Sequence, residues 1–74
     1  MSWKKAQREA REWIDSLHLR DLEGTLVDLR EPAKTLRFNG QYRLMILRAA
    51  KRIIANRGAT AILPDEIELE EKLP

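Results

Sequence analysis

Apolar residues recur at Trp3, Ala6, Ala10, Trp13, Ile14 and Leu17, in steps of three and four that line one face of a helix. Ser2 stands where an N-cap belongs, although Lys5 occupies the N3 position that a capping box fills with Glu or Gln. The opposite face carries Lys4, Arg8, Arg11, Glu12 and Asp15, with Arg8 and Glu12 four apart as an opposite-charge pair. Both tryptophans fall on the apolar side and are expected to fill core. His18 follows the last turn, where a cation suits the exposed carbonyls.

From Leu19 to Glu31 the periodicity weakens. Leu19, Leu22, Leu26 and Leu29 keep a helix-like spacing, but Gly24 and the run Thr25-Leu26-Val27 favour a break followed by a short strand. Asp28-Leu29-Arg30-Glu31 has the carboxylate spacing of a helix start, and Pro32 is tolerated in a first turn. A short helix is therefore predicted through Ala33 and Leu36, ending near Phe38.

Asn39-Gly40 is a turn signal with two readings. Thr35 to Phe38 before it and Gln41 to Leu44 after it would suit a tight β-hairpin. The stretch from Gln41 to Arg57 is nevertheless too long and too rich in Leu, Met, Ala and Arg for a strand, and Gly58 closes it at the C′ position. It is predicted as the longest helix. Tyr42, Ile46, Ala49, Ala50, Ile53 and Ile54 make its apolar face, with Gln41, Arg48, Lys51 and Arg52 opposite. Ala59 to Leu63 reads as a strand, Pro64-Asp65-Glu66 as a turn, and Ile67 to Glu70 as an alternating half-buried strand, so the carboxyl end is predicted as a hairpin.

Seventy-four residues without repeats or low-complexity stretches fit one domain, 1–74, with one modest core. There is no cysteine, so packing and local structure must supply stability. No apolar run approaches the ~18 to 20 residues of a membrane span, and no signal-peptide hydrophobic region opens the chain, so a soluble intracellular protein is expected, cytoplasmic or associated with a nucleoid or nucleus.

Charge changes the picture more than composition does. The formal net charge is only +2. Residues 1–58 nevertheless hold thirteen Lys/Arg against seven Asp/Glu, and residues 59–74 hold one against five. Between Pro32 and Pro64 lie Lys34, Arg37, Arg43, Arg48, Lys51, Arg52 and Arg57 and no acid at all. A single-sign block of this kind suits a phosphate backbone. The plainer reading is a solvated charged face, or a basic patch covered by the chain's own acidic tail.

Catalysis finds no support. Two serines and one histidine offer no nucleophile and base pairing, no Gly-rich phosphate loop is present, and no His/Cys/Asp cluster suits a metal or cofactor. Phe38 and Tyr42, the aromatics near the basic block, are better placed as core than as a stacking surface for single strands.

The order helix, strand, helix, helix, strand, strand resembles that of winged helix-turn-helix domains: mainly α, with a three-helix core and a small β-hairpin. The stretch Gly24-Thr25-Leu26-Val27-Asp28-Leu29-Arg30-Glu31, followed by AKTLRFN at 33–39, resembles the family's usual entry from a small strand into a helix. The resemblance implies that Gln41 to Arg57 is a recognition helix in a DNA major groove. Arg48 and Arg52, with Gln41 and Lys51, would then contact double-stranded DNA, and Arg37, Asn39 and Arg43 would brace its backbone. It implies a role in transcriptional regulation or nucleoprotein assembly; from the missing catalytic motifs, no enzymatic activity is expected.

The chain departs from the family pattern in five places. Pro32 replaces an aliphatic residue, Arg37 a glycine and Arg43 an apolar one, and the long helix has about one extra turn. The wing, Pro64-Asp65-Glu66 with Glu68 and Glu70, is acidic and would repel phosphate. An alternative follows from that acidity: a protein-interaction adaptor of the same fold, its basic helix meeting an acidic partner and its acidic hairpin a protein partner or second copy.

Overall fold

The computed structural model describes residues 2–64. Helix α1 spans Trp3–Ser16, strand β1 Leu26–Asp28, a 3-10 turn Pro32–Thr35, helix α2 Gly40–Asn56 and strand β2 Thr60–Ile62. The molecule is mainly helical, with two α-helices and a two-stranded parallel sheet among the described residues.

Helix α1 starts where the sequence reading puts it. The Ser2 hydroxyl accepts the Lys5 amide at 3.0 Å, satisfying a first-turn donor that has no partner inside the helix. Its end is less orthodox. His18, just past the C-cap Leu17, takes a left-handed backbone (φ 52°), the conformation that usually calls for glycine. Among the described residues Arg8 and Glu12 make no ion pair, and both lie on the polar side of the helix, Arg8 exposed.

Helix α2 opens at Gly40, with Asn39 as an N-cap that makes no side-chain capping bond, and the alternative hairpin at Asn39-Gly40 is absent. Its C-terminus is a Schellman closure: the Gly58 amide donates to the Ala55 carbonyl and the Ala59 amide to the Ile54 carbonyl, at 3.0 and 3.1 Å. Gly58 supplies the positive φ of 82°.

The second of the three expected helices is not an α-helix. Only Pro32–Thr35 coil, and Leu36 is already extended (φ −68°, ψ 128°). Nucleating a helix fixes several residues for each first hydrogen bond, and four residues ending in Thr35, whose hydroxyl donates back to the Pro32 carbonyl at 2.6 Å, cannot offset that cost.

The strand from Ala59 has a partner that the sequence pattern does not announce. It was expected to turn back on 67–70, which lies outside the described residues, as does the rest of the predicted acidic hairpin beyond Pro64. Among the described residues β2 pairs with β1 in parallel, with Leu26 opposite Thr60, Val27 opposite Ala61 and Asp28 opposite Ile62. Parallel strands need a long crossover, and the segment from Leu29 through α2 to Ala59 provides it. The pairing is fixed at both ends, by the Gly24 amide on the Gly58 carbonyl (2.7 Å) and the Leu29 amide on the Ile62 carbonyl (2.8 Å).

Core formation follows from these pairings. Ala6, Ala10 and Ile14 of α1 pack with Ile46, Leu47, Ala49, Ala50 and Ile54 of α2, and Val27, Leu29, Ala33 and Leu63 close the other side. The alanines have little side chain between the helix backbones, which allows close approach. Leu47 is fully buried although the helical wheel left it off the apolar face, and Tyr42 and Ile53, placed on that face, are only half-buried.

Candidate nucleic-acid interface

The seven residues read as DNA contacts do not form one uniform surface. Gln41, Lys51 and Arg52 are exposed on α2, and Arg37 and Asn39 are exposed on the extended segment that leads into it. Arg48 is half-buried on the same side of the helix. With a rise of 1.5 Å per residue, Gln41 to Arg52 spans about 16 Å along the axis, three turns of one polar edge interrupted by the half-buried Leu44 and Met45.

Arg43 turns toward the protein. Its Nη1 donates to the Ala33 carbonyl at 2.9 Å, so the group expected to brace a DNA backbone braces this chain's own 3-10 turn. Arg43, Arg48 and Lys51 each make a further interaction within the molecule as well.

Arg52 leans across to α1, where its guanidinium carbon lies 5.9 Å from the centre of the Trp3 ring. A cation over an aromatic face is held by the ring's quadrupole. Trp13 is buried as expected, whereas Trp3 is only half-buried and serves as the platform for Arg52. The sequence reading missed this partnership and, with it, Gln7 and Arg11, which rise one and two turns beyond Trp3 on the same edge of α1. Their i, i+4, i+8 spacing was the available signal.

Helix α2 contains no Asp or Glu. Asp28 is bound by Arg30 (2.7 Å), Glu31 by Lys34 (3.0 Å) and Asp15 by Arg57 (2.9 Å), the last joining the ends of the two helices. Among the described residues no cluster of His, Cys, Asp and Glu could hold a metal, and no helix is long and apolar enough to cross a membrane.

No family model, curated protein or solved structure matches this chain.

Proposed function

We propose that this chain is a duplex-DNA-binding module, used in transcriptional regulation or nucleoprotein assembly, in which α2 plays the part of a winged-helix recognition helix. The observation that carries the reading is the composition of that helix: seventeen residues with one apolar packed side, a polar side bearing Gln41, Arg48, Lys51 and Arg52, and no acid. A helix with its side chains is about 10–12 Å across, which a B-DNA major groove of about 12 Å accepts. Arg37 and Asn39 precede it on exposed backbone, where they reach phosphates flanking the groove. The mainly helical chain with a small sheet is compatible with an α+β class, while the 3-10 turn in place of a second helix and the parallel pairing of β1 with β2 depart from the winged-helix pattern.

Salt dependence tests the reading. Neutralising four phosphates with Arg37, Arg48, Lys51 and Arg52 gives a log-log slope of about −3.6, and Lys51→Gln flattens it by about one unit. Absence of duplex binding at low ionic strength, or a slope near zero, would exclude it.

A second reading is a protein-interaction adaptor. It is favoured by the engagement of Arg43, Arg48 and Lys51 within the molecule, which competes with contacts to DNA. It requires a partner that is still captured after nuclease treatment.

A further inference from the structure

Between α1 and α2 runs a groove of about 370 Å³, near the lower end of the ~300–1,000 Å³ of small-molecule sites. Gln7 and Arg11, one turn apart on α1, form one wall; Arg52 and Asn56, one turn apart on α2, form the other, over a floor that includes Ala49 and Ile53. The groove follows from residue size. Ala6, Ala10 and Ala49 bring the helices close, and the larger side chains at the margin stand up on either side.

Its chemistry is one-sided. Two guanidinium groups and two carboxamides line it, and no carboxylate does. Each guanidinium offers five N–H donors in a planar fork. Among the described residues no Asp or Glu pairs with Arg11 or Arg52, and Asp15, one turn beyond Arg11, is drawn away by Arg57 at 2.9 Å. The Trp3 ring meanwhile holds the Arg52 guanidinium at the groove. Two positive groups lining one groove repel each other, and an anion placed between them adds two attractions that outweigh that repulsion.

We propose that this groove is a binding site for a phosphate dianion, free or as a phosphomonoester. A carboxylate has two oxygens and satisfies a single arginine fork, whereas a phosphate monoester carries close to two charges and three acceptor oxygens, enough for both guanidinium groups. Gln7 and Asn56 supply neutral donors to the remaining lone pairs. The site is separate from the DNA-reading surface and shares only Arg52 with it.

The test is a titration of the full chain with inorganic phosphate at constant ionic strength, following the Gln7 and Asn56 side-chain amides and the arginine Nε–H signals by NMR. Saturable shifts confined to these groups are expected. Arg11→Gln, at an exposed position without an ion pair among the described residues, weakens phosphate at least about tenfold, as loss of a charge-assisted contact requires. Arg8→Gln on the same helix and Lys51→Gln on the DNA-reading side leave it unchanged. Shifts that stay linear, or an Arg11→Gln protein that saturates like the parent, would overturn the inference. A duplex with unphosphorylated ends forms the second arm. Phosphate saturation without duplex binding keeps the groove and removes the DNA reading; duplex binding that depends on Lys51, with no phosphate saturation, does the reverse.

Discussion

The Arg43 guanidinium reaches back ten residues to hydrogen-bond the Ala33 carbonyl at 2.9 Å, fastening the first turn of α2 to the 3-10 turn before it. The turn's other hydrogen bonds are short-range: the Ala33 amide donates to Leu29, the Lys34 amide to Glu31, the Leu36 amide to Ala33 and the Thr35 hydroxyl to Pro32. A bond from a charged donor contributes roughly 1.5–3 kcal/mol, and removing it leaves a carbonyl in a partly buried place without that partner.

Arg43→Met keeps most of the aliphatic stem and deletes the donors. It is expected to destabilise the fold by roughly 1.5–3 kcal/mol, read as a lower urea midpoint at unchanged m-value. Duplex affinity of the folded fraction should fall far less than in Lys51→Gln. The opposite ranking would place Arg43 on the DNA.

Tyr42 is the reverse case, a polar group whose loss is expected to help. Its ring stands edge-on to Phe38, centroids 5.1 Å apart at 82°, while its hydroxyl is buried without a hydrogen-bond partner. Burial raises the phenol pKa above its usual value, and the nearby Glu9 charge pushes it the same way. Tyr42→Phe keeps the ring contact and removes an oxygen that lost its water for nothing. The thermal midpoint should rise; a fall would mean that the hydroxyl has an acceptor.

Both long helices were legible in the sequence because their signals are local. Trp3 to Leu17 repeats with a helical period, and Gly58 announces its Schellman closure from sequence position alone. What escaped depended on partners distant in the chain. Nothing within Ala59 to Leu63 announces a parallel pairing with Leu26–Asp28, more than thirty residues earlier; the Gly24–Gly58 hydrogen bond, spanning the crossover, helps to fix it. The 3-10 turn and the α-helix expected there share the same start signals and differ only in how far they propagate. For the site, a wheel drawn for α2 alone finds its cations but cannot show that Arg43 turns inward, or that Arg52 meets Trp3 and shares a groove with Gln7 and Arg11.

Gly58 is expected to be the least replaceable glycine. A methyl group there would sit 3.1 Å from the Glu23 Cγ and 3.4 Å from its Cα, on a backbone at φ 82°. A left-handed conformation alone costs a residue with a Cβ roughly 1–2 kcal/mol, and the contact with Glu23 adds to it. Gly40 has φ 63° but nothing within 4 Å. Gly58→Ala should therefore lower the urea midpoint more than Gly40→Ala does, and adding Glu23→Ala to the Gly58 variant should recover part of the difference. Equal effects at the two glycines would remove the steric component and leave only backbone strain.

Asp28 governs the response to acid at the end of β1. The Arg30 side chain bonds both carboxylate oxygens, at 3.0 and 2.7 Å, and the Arg30 amide donates to Oδ1 at 3.0 Å. These bonds to the charged form, the side-chain ones foremost, lower its pKa from 3.8 to about 2. Because the folded value lies below the unfolded one, the contribution to stability is complete above pH 3.8 and fades as the pH falls from there through about 2. Asp28→Asn preserves an oxygen for the Arg30 amide but has no charge to titrate. Its stability relative to the parent should improve steadily on acidification across that window, and NMR titration of the parent carboxylate should locate the midpoint near the lower end. A midpoint at the ordinary aspartate value would mean that the Arg30 clamp does not persist in solution.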